Sequence, residues 1–144
     1  MQELLAHLIG DYVVQSDWMA TQKTARSIAA FAHATAYTSV FLLLFGTRWE
    51  ALVVIGGTHF VIDRFRLARY VIRAKNLLLA PPGAAPRNVN PATGYPAETP
   101  PWMAVWLLII VDNTMHLTIN HVALALLTRL PSVPGLFDRL HRLG

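Results

Sequence analysis

The sequence predicts an all-α polytopic membrane bundle of three to four helices with a proline-rich cytoplasmic loop, forming one domain over residues 1–144. Three observations point there. Apolar residues make up 54% of the chain and charged residues 14%, against roughly a quarter charged in an ordinary soluble domain. Apolar stretches of helical length recur along the chain. Seven of the nine prolines fall between residues 80 and 101, which breaks the pattern once and decisively.

The first helix is expected over about 2–15. Leu4, Leu5, Leu8, Ile9, Val13 and Val14 supply its apolar face, and Ser16-Asp17 is a cap pair for the segment after it. At about 1.5 Å per residue it covers some 21 Å, short of a ~30 Å hydrocarbon core. A short spanning helix, a re-entrant half-helix and an interfacial helix all fit that length. The second helix, about 24–45, is long enough to span, with Lys23 and Arg26 at its start and Gly46 at its end. Lys23 reads as a flanking positive charge rather than a catalytic base.

A third helix is expected over about 49–79. Its apolar part, ALVVIGGTHFVI, continues in helical pattern through DRFRLARYVIRAKNLLL, as one long helix leaving the membrane near Arg64 to Arg69. Residues 80–101 read as a polar loop without regular structure. The fourth helix, about 102–127, is apolar except at DNTMH, and a short basic tail occupies 129–144. Trp18, Trp49, Trp102 and Trp106 suit interfacial anchors.

In this topology Lys23, Arg26, Arg64, Arg66, Arg69, Arg73, Lys75 and Arg87 fall on one side, and Arg48, Arg129, Arg139 and Arg142 on the other. The excess places the 80–101 loop in the cytoplasm. The absence of cysteine excludes disulfides and thiolate metal sites. No nucleic-acid-binding motif is present, and clustered arginines point to an anionic membrane surface instead. With Glu3 and no Lys or Arg before the first apolar stretch, no cleavable signal peptide is expected.

Polar residues inside the apolar helices carry the functional signal. His7, Asp11 and Gln15 recur at intervals of four in the first helix, His33 and Tyr37 in the second, His59 and Asp63 in the third, and Asp112 and His116 in the fourth, with Asn113, Asn120 and His121 nearby. Residues four apart share one helix face. Ionisable groups facing lipid cost at least a few kcal/mol, so they turn inward and pair. Converging aspartates repel one another unless a cation intervenes, and neutral His with carboxylate is an ordinary ligand set for zinc, with manganese or iron as alternatives. His7, Asp11, His33, His59, Asp63, Asp112 and His116 are therefore candidate ligands for one or two divalent ions, with Gln15, Tyr37 and Asn113 behind them. Counting depth from the cytoplasmic edge puts most of this set in one layer, and the fourth helix needs a shift of about one turn, or a tilt, to join it. An interhelical hydrogen-bond network and a proton or ion pathway are the competing readings of the same residues.

Arg66, Arg69 and Arg73, spaced by three and four, form one stripe on the expected long helix. A solvated face snorkelling among headgroups and a clamp for the anionic group of a lipid or other substrate both fit it.

The runs HLIGDYVVQSDWMA, HFVIDRFRLARYVIRAKN and VDNTMHL, together with His33 and Tyr37, resemble the family of domains of unknown function numbered 3307, small membrane proteins of bacteria and their phages. The resemblance implies the bacterial inner membrane. It also implies a distant similarity to membrane-bound metal-dependent hydrolases, with His7, Asp11, His59, Asp63, Asp112 and His116 as ligands.

The expectation is a metal-dependent hydrolase acting on a phosphoester or other ester of a membrane-associated substrate. In that reading Asp11 or Asp63, whichever is not a ligand, takes the proton of the attacking water. The alternatives are a non-enzymatic phage-type protein that modifies the host envelope and an ion or proton conductor. Membrane lipids are the expected partners, with a homodimer compatible with so thin a bundle and no role for nucleic acid.

Overall fold

The computed structural model describes residues 2–86 and 88–127. Arg87, Arg129, Arg139, Arg142, His141 and the expected basic tail lie outside the described residues. Within them the chain is helical and has no strand. The elements in order are α1 (Gln2–Leu8), a π-helical turn (Ile9–Val13), α2 (Asp17–Gln22), α3 (Ser27–Phe45), α4 (Trp49–Phe65), α5 (Ala68–Leu78) and α6 (Pro101–Leu127). Helices α3 and α6 are long and apolar enough to cross a membrane.

The first expected helix is not regular. It widens at Ile9–Val13 into an i→i+5 turn, a feature often found where a helix presents a functional side chain. The reason for Gly10 is a contact with another helix: a Cβ there would run into the Tyr37 ring of α3. After Val14 the chain turns at Ser16, whose Oγ accepts from the Met19 N–H at 3.3 Å and starts the unforeseen helix α2.

The third expected helix is two. Arg66 takes a left-handed conformation, φ 52°, and the Leu67 N–H bonds Ile62 O at 3.0 Å while the Arg66 N–H reaches Asp63 O at 3.3 Å. This is a Schellman cap, a helix ending that glycine usually supplies. An arginine there leaves the break invisible to sequence pattern. The chain reverses and α5 packs onto α6, burying Ile72 with Tyr95 and Ala104. The 80–101 segment is irregular as expected, with one isolated bridge between Val89 and Pro96.

Three layers succeed one another along α6. Ala104, Leu107, Leu108 and Val111 pack under α5 and the loop. Asp112 and His116 come next. Ala123, Leu124 and Leu127 then join Ala6, Tyr37, Phe41 and Ile55 in the main apolar core. Because α5 folds back over the first turns of α6, Trp102 does not mark the level of the other helices' edges. That accounts for the shift the depth count required.

The polarity is inverted relative to a soluble protein. Leu43, Val13, Trp49 and Ile28 are 64–81% exposed, while His7, His33, His59, Asp63, His116 and Asn120 are buried. An outer surface of large apolar side chains around a polar interior is what a hydrocarbon solvent favours.

Candidate metal centre

Four elements deliver the ligand candidates of the two groups. The π-helical turn brings Asp11, α3 brings His33, α4 brings His59 and Asp63, and α6 brings Asp112 and His116. Two groups of converging donors result: Asp11, His33, His59 and Asp63, and Asp63, Asp112 and His116.

In the first group His33 Nε2 lies 2.9 Å from His59 Nε2, 3.1 Å from Asp11 Oδ1 and 3.2 Å from Asp63 Oδ2. His59 Nε2 lies 3.3 Å from Asp11 Oδ1 and 3.2 Å from Asp63 Oδ2. Nitrogen and oxygen donors about 2.0–2.1 Å from a tetrahedral ion stand about 3.3 Å apart. Five edges of the donor tetrahedron are therefore close to the spacing an ion requires. His116 Nε2 is buried without a hydrogen bond, as an atom that could take an ion would be, whereas Asp63 Oδ2 has the Lys23 ammonium 2.9 Å away.

The second group shares Asp63. His116 Nε2 lies 3.5 Å from Asp63 Oδ1 and 3.5 Å from Asp112 Oδ2, too far for good hydrogen bonds. Asp63 thus turns one carboxylate oxygen to each group. Asp112, 27% exposed, opens the second group to a cavity of about 470 Å³ that Asp11, Gln15, Lys23, Asp63, Arg66 and Asn113 also line.

His7 falls in neither group. Its Nδ1 bonds the Tyr37 hydroxyl at 2.8 Å and lies 3.4 Å from Asp11 Oδ2, so it backs the carboxylate. Tyr37 also accepts from Asn120 Nδ2 at 2.5 Å and stacks on His59. Gln15 donates to the main-chain oxygen of Asp11 at 3.2 Å and so holds the widened turn, not the carboxylate. Asn113 exchanges hydrogen bonds with the Tyr12 hydroxyl and ties that turn to α6. His33 and His59 leave Nδ1 buried without a hydrogen bond, so packing, including the Tyr37 stack, orients these rings.

Sequence reasoning gave Lys23 only the role of a flanking positive charge. Its Nζ sits 2.9 Å from Asp63 Oδ2 and 3.3 Å from His33 Nε2. Lys23 lies at the end of α2, outside every i, i+4 pair, so periodicity carried no signal for it. His121 pairs at the surface with Glu3, Nδ1 to Oε2 2.9 Å, away from both groups.

The arginine stripe is divided. Arg66 lines the cavity beside Asp63 and donates to Ala92 O at 3.0 Å. Arg69 and Arg73 face a separate cavity beyond the break. The cap at Arg66 turns the chain between them, so no single clamp of three arginines forms.

Fold and site together define a small all-α protein with an apolar exterior and a buried His/Asp cluster able to hold metal. Residues 1–85, more than half of the chain, match the family described as "Protein of unknown function (DUF3307)", and the chain belongs to that family. The matched part contains the whole first donor group and ends before Asp112 and His116 on α6. No curated protein and no solved structure matches the chain.

Proposed function

We propose that the protein is a metal-dependent hydrolase of the bacterial inner membrane, with the 80–101 loop in the cytoplasm. The observation that carries the reading is Asp63, whose two oxygens face two donor groups at the wall of one cavity. Asp11, His33, His59 and Asp63 would hold a first ion. Asp63, Asp112 and His116 would hold a second with only three protein ligands, the arrangement that leaves room for water or substrate. Zinc fits the nitrogen and oxygen donors best, with manganese or iron as substitutes.

Metal bound at the second group would supply an activated water and Lewis-acid polarisation of the scissile group. The chain's own residues do the rest. Both aspartates stand in the first donor group, so neither is free of a ligand role. The oxygen that would take the proton is Asp11 Oδ2, which turns from that group toward His7 while Oδ1 faces it. Arg66 and Lys23 bring positive charge to the same cavity, which suits a phosphoester or another anionic ester of a membrane-associated molecule.

A second reading rests on Lys23. Its ammonium already neutralises Asp63 and touches His33, so the cluster also works as an ion-free network that fixes helix packing in a non-enzymatic, phage-type envelope protein.

Elemental analysis of the detergent-purified protein, beside a His59→Ala, Asp112→Ala double variant, separates the two. Two equivalents in the wild type and fewer than one in the variant support the metal centre, and phosphoester turnover that tracks metal content supports the hydrolase. No metal in either, with the variant only less stable, leaves the packing network.

A further inference from the structure

The two arginines of the stripe that do not line the His/Asp cavity line one of their own. It measures about 480 Å³ and lies between α5 and the loop, with Arg69, Arg73, Asn88 and Asn90 among its polar walls. No carboxylate lines it among the described residues. Arg69 is held by Pro91 O at 3.2 Å and by the Tyr70 hydroxyl at 2.8 Å, with its Nε buried and without a partner. No hydrogen bond or ion pair engages Arg73 among the described residues.

The cavity is constructed, not left over from loose packing. Gly94 has φ +78°, and a Cβ on it would strike the main-chain oxygen of Arg69, so the loop sits directly on the α5 backbone. Tyr95 is wedged beside Ile72 and under Lys75, whose Nζ lies 5.2 Å from its ring. Asn90 N–H to Tyr95 O at 2.9 Å and Ala97 N–H to Asn88 O at 3.0 Å close the loop on itself. Arg69 is held in the wall of this cavity, Arg73 lines it one turn further along α5, and no anionic side chain among the described residues lines it. Leu77 forms an apolar wall of the same cavity, and Leu78 and Leu79 beyond it are 81% and 80% exposed.

We propose that this cavity binds a phosphate group between Arg69 and Arg73, at a site separate from the metal cavity. Guanidinium forks match phosphate oxygens in geometry and charge. Two sources carry that chemistry, a phospholipid headgroup and free phosphate, and the exposed leucines of α5 favour the lipid.

The test measures the melting temperature and affinity of the full-length detergent-purified protein against inorganic phosphate and, separately, against a short-chain phosphatidylglycerol added as monomer. Arg73→Gln and Asn88→Asp are run in parallel. Both positions are exposed, so both variants keep the fold, and their metal content should equal that of the wild type. A stabilising shift in the wild type, with affinity weakened at least about tenfold in each variant, supports the site. Phosphatidylglycerol acting alone identifies the headgroup, and phosphate acting equally well identifies the free ion. No shift with either ligand overturns the proposal, as does a full shift retained in both variants.

Discussion

Tyr37 lies flat on His59, ring centroids 3.8 Å apart and planes 18° from parallel, while its hydroxyl joins His7 and Asn120. One buried side chain of α3 therefore orients a candidate ligand of α4 and ties α1 to α6. Tyr37→Phe keeps the stack and removes the hydroxyl, taking away the Asn120 amide's partner and leaving His7 Nδ1 only its 3.4 Å contact with Asp11. Thermal or denaturant unfolding should show a loss of about 1–3 kcal/mol, with metal content unchanged. Tyr37→Leu also removes the stack and should lower metal content in the same preparation.

Asp112 and Asp63 should separate the two ion positions. Asp112→Asn touches only the open group, so elemental analysis should fall from two equivalents to one and turnover should vanish. Asp63→Asn removes the shared bridge and should leave less than one equivalent. Equal losses in both variants would contradict the shared arrangement.

Lys23→Met discriminates between an ion and an internal ammonium as the cluster's counter-charge. If metal neutralises Asp63, removing a neighbouring cation should leave metal affinity equal or higher and stability nearly unchanged once the protein is loaded. If Lys23 is the counter-charge, the variant carries an uncompensated buried carboxylate and should lose about 3–5 kcal/mol in unfolding experiments.

Gly10→Ala drives a methyl group into the Tyr37 ring. Forced shifts of this kind in a packed interior cost about 1–3 kcal/mol. Because the widened turn also carries Asp11, metal content should fall together with the melting temperature.

Chelator treatment should lower the melting temperature of the loaded protein, and adding zinc back should restore it. A ligand present at a hundred times its dissociation constant stabilises by about 2.7 kcal/mol. In the His59→Ala, Asp112→Ala variant the chelator should shift the melting temperature much less.

Much of the site is legible without knowledge of any contact. His59 with Asp63, and Asp112 with His116, stand out because an apolar helix tolerates such residues only when they turn inward, and spacing by four puts each pair on one face. The same reasoning makes the bundle all-α, places helices at about 24–45 and 102–127, and isolates the proline-rich loop, all close to the observed bounds. These are local matters, decided by side-chain period and by backbone chemistry along one stretch of chain.

The features that periodicity does not show depend on contacts between distant segments. The helix break rests on Arg66 in a conformation that glycine normally announces, and it sends Arg69 and Arg73 to a second cavity. In the widened turn at Ile9–Val13, Gly10 sits against Tyr37, a partner on another helix. Lys23 reaches Asp63 only because α2 folds beside α3, and His7 is drawn to Tyr37 rather than into a donor group. A residue's helix face is decided by its own neighbours in sequence, whereas the group it finally meets is set by how the helices pack.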